Sequence, residues 1–185
     1  MLAAGGGSRF TDSGGTSHKL LADFRGLPVV AWAIEHAADA GLDETIVVTG
    51  AVDLSSVVRH HVTFVANERW AEGQATSLAA AVAYADAAGH DAIVVGLGDQ
   101  PLVTPQAWAA VAREPGADDT IVVATYDGRR RNPVRLPRAL WALLPTTGDE
   151  GARRLMRDRP ELVREVACAG VPADVDTVED LTTWS

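Results

Sequence analysis

The chain has 185 residues, 47% of them hydrophobic, and carries 25 acidic against 16 basic side chains for a formal net charge of −9. That length suits one domain able to bury roughly 70% of its unfolded surface without disulfides or metals, and the acidic balance excludes a broad surface for nucleic acid or anionic lipid. Cys168 is the single cysteine, which excludes an internal disulfide framework, and no apolar run approaches the roughly 18 residues of a membrane span.

In chain order, Leu2 to Ala4 reads as the end of a first strand, with no basic and apolar leader ahead of it. Pro28 opens a helix that Gly41 closes after Ala40. Thr45 to Thr49 and Thr63 to Ala66 are β-branched-rich strands, and Ser77 to Ala88 has helical apolar spacing. Asp91 to Leu97 and Thr120 to Ala124 are further strands, with Thr104 and Pro105 as N-cap and first residue of a helix between them. Asp174 to Thr177 alternates in strand fashion, which would turn both carboxylates to one face, and Val178 to Trp184 reads as a final helix. Alternating strands and helices predict α/β architecture: one domain over residues 1–185, a mostly parallel sheet with helices on both faces. The expectation is a cytoplasmic protein with no nucleic-acid or membrane partner.

In such sheets ligands bind at the carboxyl ends of strands, which directs attention to three polar clusters. Gly5-Gly6-Gly7-Ser8-Arg9 follows the first strand; absent Cβ atoms let backbone N–H groups approach an anion, and Arg9 adds a planar fork of donors. It is neither a P-loop nor a GxGxxG fingerprint, because no Gly-Lys-Ser/Thr follows and Phe10 replaces the last glycine. Lys19, the only lysine, could fold back over the same phosphates. Asp99, in Gly98-Asp99-Gln100-Pro101, is placed to give Mg²⁺ a hard oxygen ligand or else to close an Asx-turn or cap a helix. Asp174 and Asp176 offer a second ligand, while Asp176 or Thr177 can cap the last helix.

Nine of the sixteen basic residues lie between Arg129 and Arg159, against only Asp149, Glu150 and Asp158, a segment locally +6. It reads as an anion-handling region or as a solvated arginine-rich helical face. The five histidines, including His60 and His61, read as surface or structural residues.

Taken in order, Leu2 to Phe10 with Lys19-Leu20-Leu21, then Gly98 to Pro101, then Asp174 to Asp180 resemble the MobA-like nucleotidyltransferase family over nearly the whole chain. The Leu2-Ala3-Ala4-Gly5 start, Asn132-Pro133-Val134 and Gly148 to Arg153 are similar to its molybdenum cofactor cytidylyltransferase branch, whereas the guanylyl branch shows glycine in place of Ala4. The loop Thr11 to His18 is longer than the family's usual spacing before the lysine.

The resemblance implies a Rossmann-like three-layer α/β/α fold of the nucleotide-diphospho-sugar transferase type. Leu2, Ala3, Ala4 and Gly5 would then contact base and ribose, Gly6, Gly7, Ser8, Arg9 and Lys19 would hold the triphosphate, and Asp99 with Asp176 would bind Mg²⁺. Gln74, Ser77 and Gly98 would lie beside the nucleotide; Arg131, Asn132, Asp149 and Arg153 would face the acceptor. Arg9, Lys19 and Asp99 become the catalytic set, the substrates CTP and the phosphate of molybdopterin, and a molybdenum hydroxylase a possible recipient of the product. The alternatives are GTP with molybdopterin, another phospho-acceptor such as phospholactate, a sugar phosphate or methylerythritol phosphate, or a non-catalytic nucleotide-binding cofactor chaperone. Retention of both Asp99 and Asp176 speaks against the last.

Overall fold

Strand β1 (Leu2–Ala3) lies at the centre of the sheet in the computed structural model, which describes all 185 residues. It pairs in parallel with β4 (Ile46–Thr49), which pairs in parallel with the edge strand β5 (Thr63–Ala66). On its other side Leu2 bridges Leu97, just past β6 (Ala92–Val95), with Leu2 N donating to Gly96 O at 2.9 Å and Gly98 N donating to Leu2 O at 2.9 Å. Beyond β6 come β8 (Arg129–Pro137), antiparallel to both its neighbours, then β7 (Ile121–Tyr126) and the edge strand β9 (Val163–Ala167), parallel to β7. The order β5-β4-β1-β6-β8-β7-β9 is thus mostly parallel with one reversed strand.

A two-residue turn at Arg25 and Gly26, both at positive φ, joins the short hairpin strands β2 (Asp23–Phe24) and β3 (Leu27–Pro28). Helices α1 (Ser8–Asp12) and α2 (Val29–Ala38) precede β4, α3 (Gln74–Ala87) precedes β6, α4 (Pro105–Arg113) precedes β7, and α5 (Ala152–Asp158) and α6 (Val178–Trp184) flank β9 in sequence.

The central parallel strands β1, β4, β6 and β7 are predominantly apolar because both faces of the sheet are covered. Val47 and the alternate residues Val122 and Ala124 pack with Val30, Ile34 and Ala37 of α2 and Trp108 and Val111 of α4. Val48, Ile121 and Val123 turn the other way, onto Leu78, Ala81 and Ala85 of α3 and Leu155 and Met156 of α5. Phe10, Phe24, Val29 and Val175 form a third, smaller cluster that seats Leu181 and Trp184 of α6.

Three sequence readings are corrected here. Asp174 to Thr177 is an irregular segment without strand pairing, so its two carboxylates do not share a sheet face. Residues Arg129 to Pro137 are not a helical face but β8, inserted between β6 and β7, where Val134 and Leu136 are buried. Helix α3 begins at Gln74 instead of Ser77, which brings Gln74 into its first turn.

The chain builds β1, β4 and β5 outward on one side, then crosses to β6 on the other side of β1. The connections after β1 and β6 therefore diverge from adjacent strand ends, leaving a crevice between them. Gly5 to Arg9 and Gly98 to Gln100 are the two segments that leave those ends.

Candidate active site

Gly7 sits at φ 66°, a left-handed conformation that permits the turn from the first strand into α1. Gly98 lies against β1: a Cβ there would approach the Ala3 methyl at 2.9 Å, so the loop carrying Asp99 can hug the glycine loop only with glycine at this position. Leu2, Ala3, Ala4, Gly5, Gly6, Lys19, Gln74, Ser77, Asp99 and Asp149 all border one cavity of about 320 Å³, joined by Trp70 and Gly73. A smaller hollow of about 120 Å³ is bordered by Gly7, Ser8, Arg9, Lys19 and Asp176, so Lys19 stands at both.

Lys19 is carried across the long Thr11 to His18 loop and aimed inward by a short 3-10 turn, Lys19–Leu21. Its Nζ donates to Asp99 Oδ2 at 2.6 Å and to Asp176 Oδ1 at 2.8 Å, with only 12% of the side chain exposed. Burial alone would depress the ammonium's pKa, but the charges and hydrogen bonds of Asp99 and Asp176 outweigh it and raise the pKa, so Lys19 is a fixed cation. Arg9 donates to Asp176 Oδ2 at 2.7 Å while 78% of its side chain stays exposed, which leaves it free to exchange that carboxylate for a phosphate.

Asp99 Oδ1 is buried and has no hydrogen-bond partner. A carboxylate oxygen without a donor, beside a second carboxylate that shares the same ammonium, fits a hard divalent cation whose shell is completed by water and phosphate oxygens. No three His, Cys, Asp or Glu side chains converge as a closed protein cage, and Mg²⁺-type sites need none.

Asp176 is held in place from its C-terminal side. Thr177 and Asp180 form a capping box at the start of α6, and Asp180 Oδ2 accepts from the N–H groups of Asp176 and Thr177 at 3.1 and 2.8 Å. Val175 N donates to Asp99 O at 2.9 Å, which ties the two acidic segments together. Gln100 Nε2 donates to Asp174 Oδ1 at 2.7 Å, and Asn132 Nδ2 donates to Gln100 Oε1 at 3.0 Å. Burial, with the nearby charge of Asp99, raises the Asp174 pKa. Asp174 thus belongs to a supporting network, and Asn132 reaches the Asp99 loop through Gln100.

The remaining acceptor candidates separate. Asp149 borders the main cavity and its Oδ1 accepts from Gln74 N at 3.3 Å, while Gly148 O accepts from Ala75 N at 2.8 Å, so this loop caps α3. Arg131 is exposed on β8, and Arg153 is exposed on α5 outside both cavities. Arg157 and Arg154 of the basic segment pair with Glu150 and Asp158 on the surface.

Three residues at the site had no sequence signal of their own. Trp70 borders the cavity. His18 accepts from Leu20 N at 3.3 Å through Nδ1 and places Nε2 3.0 Å from Gly5 O, which makes it the neutral Nε2–H tautomer bracing the glycine loop. Asn67 is buried below Ser77. Their signal is tertiary: each takes its place only when segments apart in sequence fold together.

Residues 1–165 match the MobA-like NTP transferase domain, a span that includes Lys19 and Asp99 and ends before Asp176. The nicotine blue oxidoreductase of Paenarthrobacter nicotinovorans is 32% identical over 98% of this chain and 92% of its own length. A nucleotidyl transferase from Methanothermobacter thermautotrophicus superimposes with a TM-score of 0.83 at 24% identity, covering 98% of this chain and 93% of its own. The manganese complex of Rv0371c from Mycobacterium tuberculosis has a TM-score of 0.73 at 28% identity over 99% of this chain and 94% of its own.

Proposed function

The chain belongs to the MobA-like NTP transferase family, and from that premise we propose that it transfers CMP from CTP to the phosphate of molybdopterin or its molybdenum form, releasing pyrophosphate. The observation that carries the reading is the pair Asp99 and Asp176 on the single ammonium of Lys19, set between the glycine-rich loop and a nucleotide-sized cavity. Mg²⁺ is the cation proposed for these carboxylates; it would offset phosphate charge, and the manganese bound by a homologue supports a divalent site.

A phosphate monoester is largely ionised near pH 7, so an acceptor oxygen can attack the α-phosphorus without a protein base, forming one P–O bond as the bond to pyrophosphate breaks. This chain's part is to align the groups in line and neutralise charge. Lys19 holds its proton throughout and contributes a fixed positive charge. Arg9 moves from Asp176 to the phosphates. The network of Asn132, Gln100 and Asp174 stiffens the loop that presents Asp99.

Cytidine is favoured by Leu2-Ala3-Ala4-Gly5, and a pterin acceptor by Asn132 beside the Asp99 loop with Arg131 on the same strand. We read residues 1–185 as one nucleotidyltransferase domain acting in the cytosol, where the lone Cys168 needs no partner. A molybdenum hydroxylase is the proposed recipient of the product. No helix of the chain is long and apolar enough to cross a membrane.

The test varies molybdopterin in steady-state kinetics and titrates CTP calorimetrically. Asn132→Ala should raise the acceptor KM or lower kcat while CTP affinity stays within about twofold. Weakened CTP binding with unchanged acceptor dependence would move Asn132 to the nucleotide side. Transfer to phospholactate or a sugar phosphate in place of molybdopterin would keep the chemistry and change the acceptor. The oxidoreductase relative supplies the opposing outcome: oxidoreductase activity on nicotine blue with no pyrophosphate from any NTP.

A further inference from the structure

Gly5, Gly6 and Gly7 are three successive residues without a side chain, the costliest backbone to order, so what holds each one decides how ready the loop is for an anion. Gly5 O lies 3.0 Å from His18 Nε2, and Gly7 O accepts from Phe10 N and Thr11 N at 3.1 and 3.3 Å as α1 begins. Gly6, between them, makes no backbone hydrogen bond. It is met instead by the indole of Trp70: a Cβ at Gly6 would stand 3.0 Å from Trp70 Cζ3 and 3.3 Å from Cη2. A Cβ at Gly50, just past β4, would stand 2.8 Å from both Cβ and Cγ of the same side chain. Neither glycine is at positive φ, so what both positions lack is room for a Cβ, and the indole fills the space between the end of β4 and the loop after β1.

Trp70 is itself firmly held. Asn67, 7% exposed at the end of β5, accepts from Arg69 N through Oδ1 at 3.0 Å and donates to Thr76 Oγ1 through Nδ2 at 2.9 Å. Arg69 donates twice to the Glu72 carboxylate, at 2.9 and 2.6 Å, and Gly73 N donates to Trp70 O at 3.3 Å, which closes the short 3-10 turn Trp70–Glu72 ahead of α3. The ring packs against the apolar cluster that contains Leu2, Ala4 and Val48, and it borders the cavity of about 320 Å³. We propose that Trp70 is a positioning residue for polyphosphate: its ring edge sets Gly6, and with it the N–H groups of the glycine loop, before the ligand arrives. A loop already ordered by folding does not draw that ordering from the binding energy. The inference rests on the nucleotide reading of this cavity and adds the residue that shapes its phosphate end.

The experiment measures dissociation constants of inorganic tripolyphosphate and CTP by calorimetry with Mg²⁺, for the wild type, Trp70→Phe, Gly6→Ala, the double variant and Trp141→Phe, each shown to be folded by its thermal melt. Phenylalanine is shorter than the indole and draws the ring edge back from Gly6, whereas Gly6→Ala pushes a methyl into that edge. Each single change should therefore weaken tripolyphosphate binding roughly threefold to tenfold. In the double variant the methyl occupies the room the indole gave up, and affinity should return to within about twofold of the wild type, a recovery that simple loss of stability at the two positions would not give. CTP should weaken by the same factors, because the effect lies in the phosphate loop. Trp141→Phe, at a buried tryptophan outside both cavities, should lower the melting temperature and leave both constants unchanged. If the ligands bind the wild type and Trp70→Phe leaves tripolyphosphate affinity unchanged, or weakens CTP alone, the inference is overturned and the nucleotide reading stands; this arm decides even where Gly6→Ala does not fold. A folded double variant that fails to recover overturns it as well. If neither tripolyphosphate nor any NTP binds the wild type, the nucleotide reading itself fails.

Discussion

Lys19 and His18 are adjacent in sequence and do opposite electrostatic work. Lys19 is kept charged by two carboxylates, whereas His18 is kept neutral by burial, by the nearby Lys19 charge, and by a geometry that needs Nδ1 as an acceptor, with the contact to Gly5 O pulling the other way. Because the folded state lowers the His18 pKa, the unfolded chain binds the extra proton once the pH drops below about 6.5, and folded stability falls as acid is added. His18→Asn retains a capping side chain for the turn carrying Lys19 but cannot titrate. Thermal melts at pH 7.0 and pH 5.5 should therefore show a larger acid-induced loss of Tm in the wild type than in His18→Asn. An equal loss in both would remove His18 from the acid response. The role of His18 is not visible in the sequence, where it is one polar residue in a serine- and glycine-rich loop; its two partners are defined only once that loop folds back onto Gly5.

At the level of elements, the parallel half of the sheet was legible because its strands are apolar at successive positions and its helices keep helical spacing, a pattern that only two-sided burial produces. Strand β8 was not, since the exposed Arg129 to Arg131 have the composition of a surface segment and two of the four buried positions that follow, Pro133 and Pro137, are prolines that read as breakers beside Val134 and Leu136. The acidic segment near the C-terminus was misread for the related reason that alternation of Asp and Val also describes a loop whose Val175 fills a hydrophobic cluster while its acids face the crevice. What fixes that loop is the capping box of α6, and this carries a prediction. Thr177→Val removes the side chain that accepts from Asp180 N and donates to Asp180 Oδ2, at a cost of about 1 kcal/mol and a Tm loss of roughly 2–4 °C. Because Asp180 also holds Asp176 N, the variant should need more divalent metal for half-maximal activity. An unchanged metal requirement alongside the lowered Tm would separate the helix cap from the metal site.

For the whole molecule, the crossing of the chain from β5 to β6 determines where chemistry can occur, because it parts the loops after β1 and β6 at one crevice. Glycine loop, Lys19 and Asp99 were recognisable as motifs, and the fold brings them together with Asp176 across 157 residues of sequence between Lys19 and Asp176. The supporting residues were not recognisable, since Asn67, Gln100 and Trp70 acquire roles only from neighbours that no local pattern announces. Asp149 shows the limit from the other side: grouped with the arginines by sequence proximity, it lies against α3 at the cavity beside the glycine loop, while Arg153 is exposed and does not border that cavity. The account's central claim is nucleotidyl transfer at the crevice between Asp99 and Asp176, and the most direct measurement is pyrophosphate release from CTP with Mg²⁺ and molybdopterin, by the wild type and by Asp99→Ala. The expected result is acceptor-dependent pyrophosphate release by the wild type and none by a folded Asp99→Ala, whereas equal release by both proteins, or none by either with any NTP and acceptor, would contradict it.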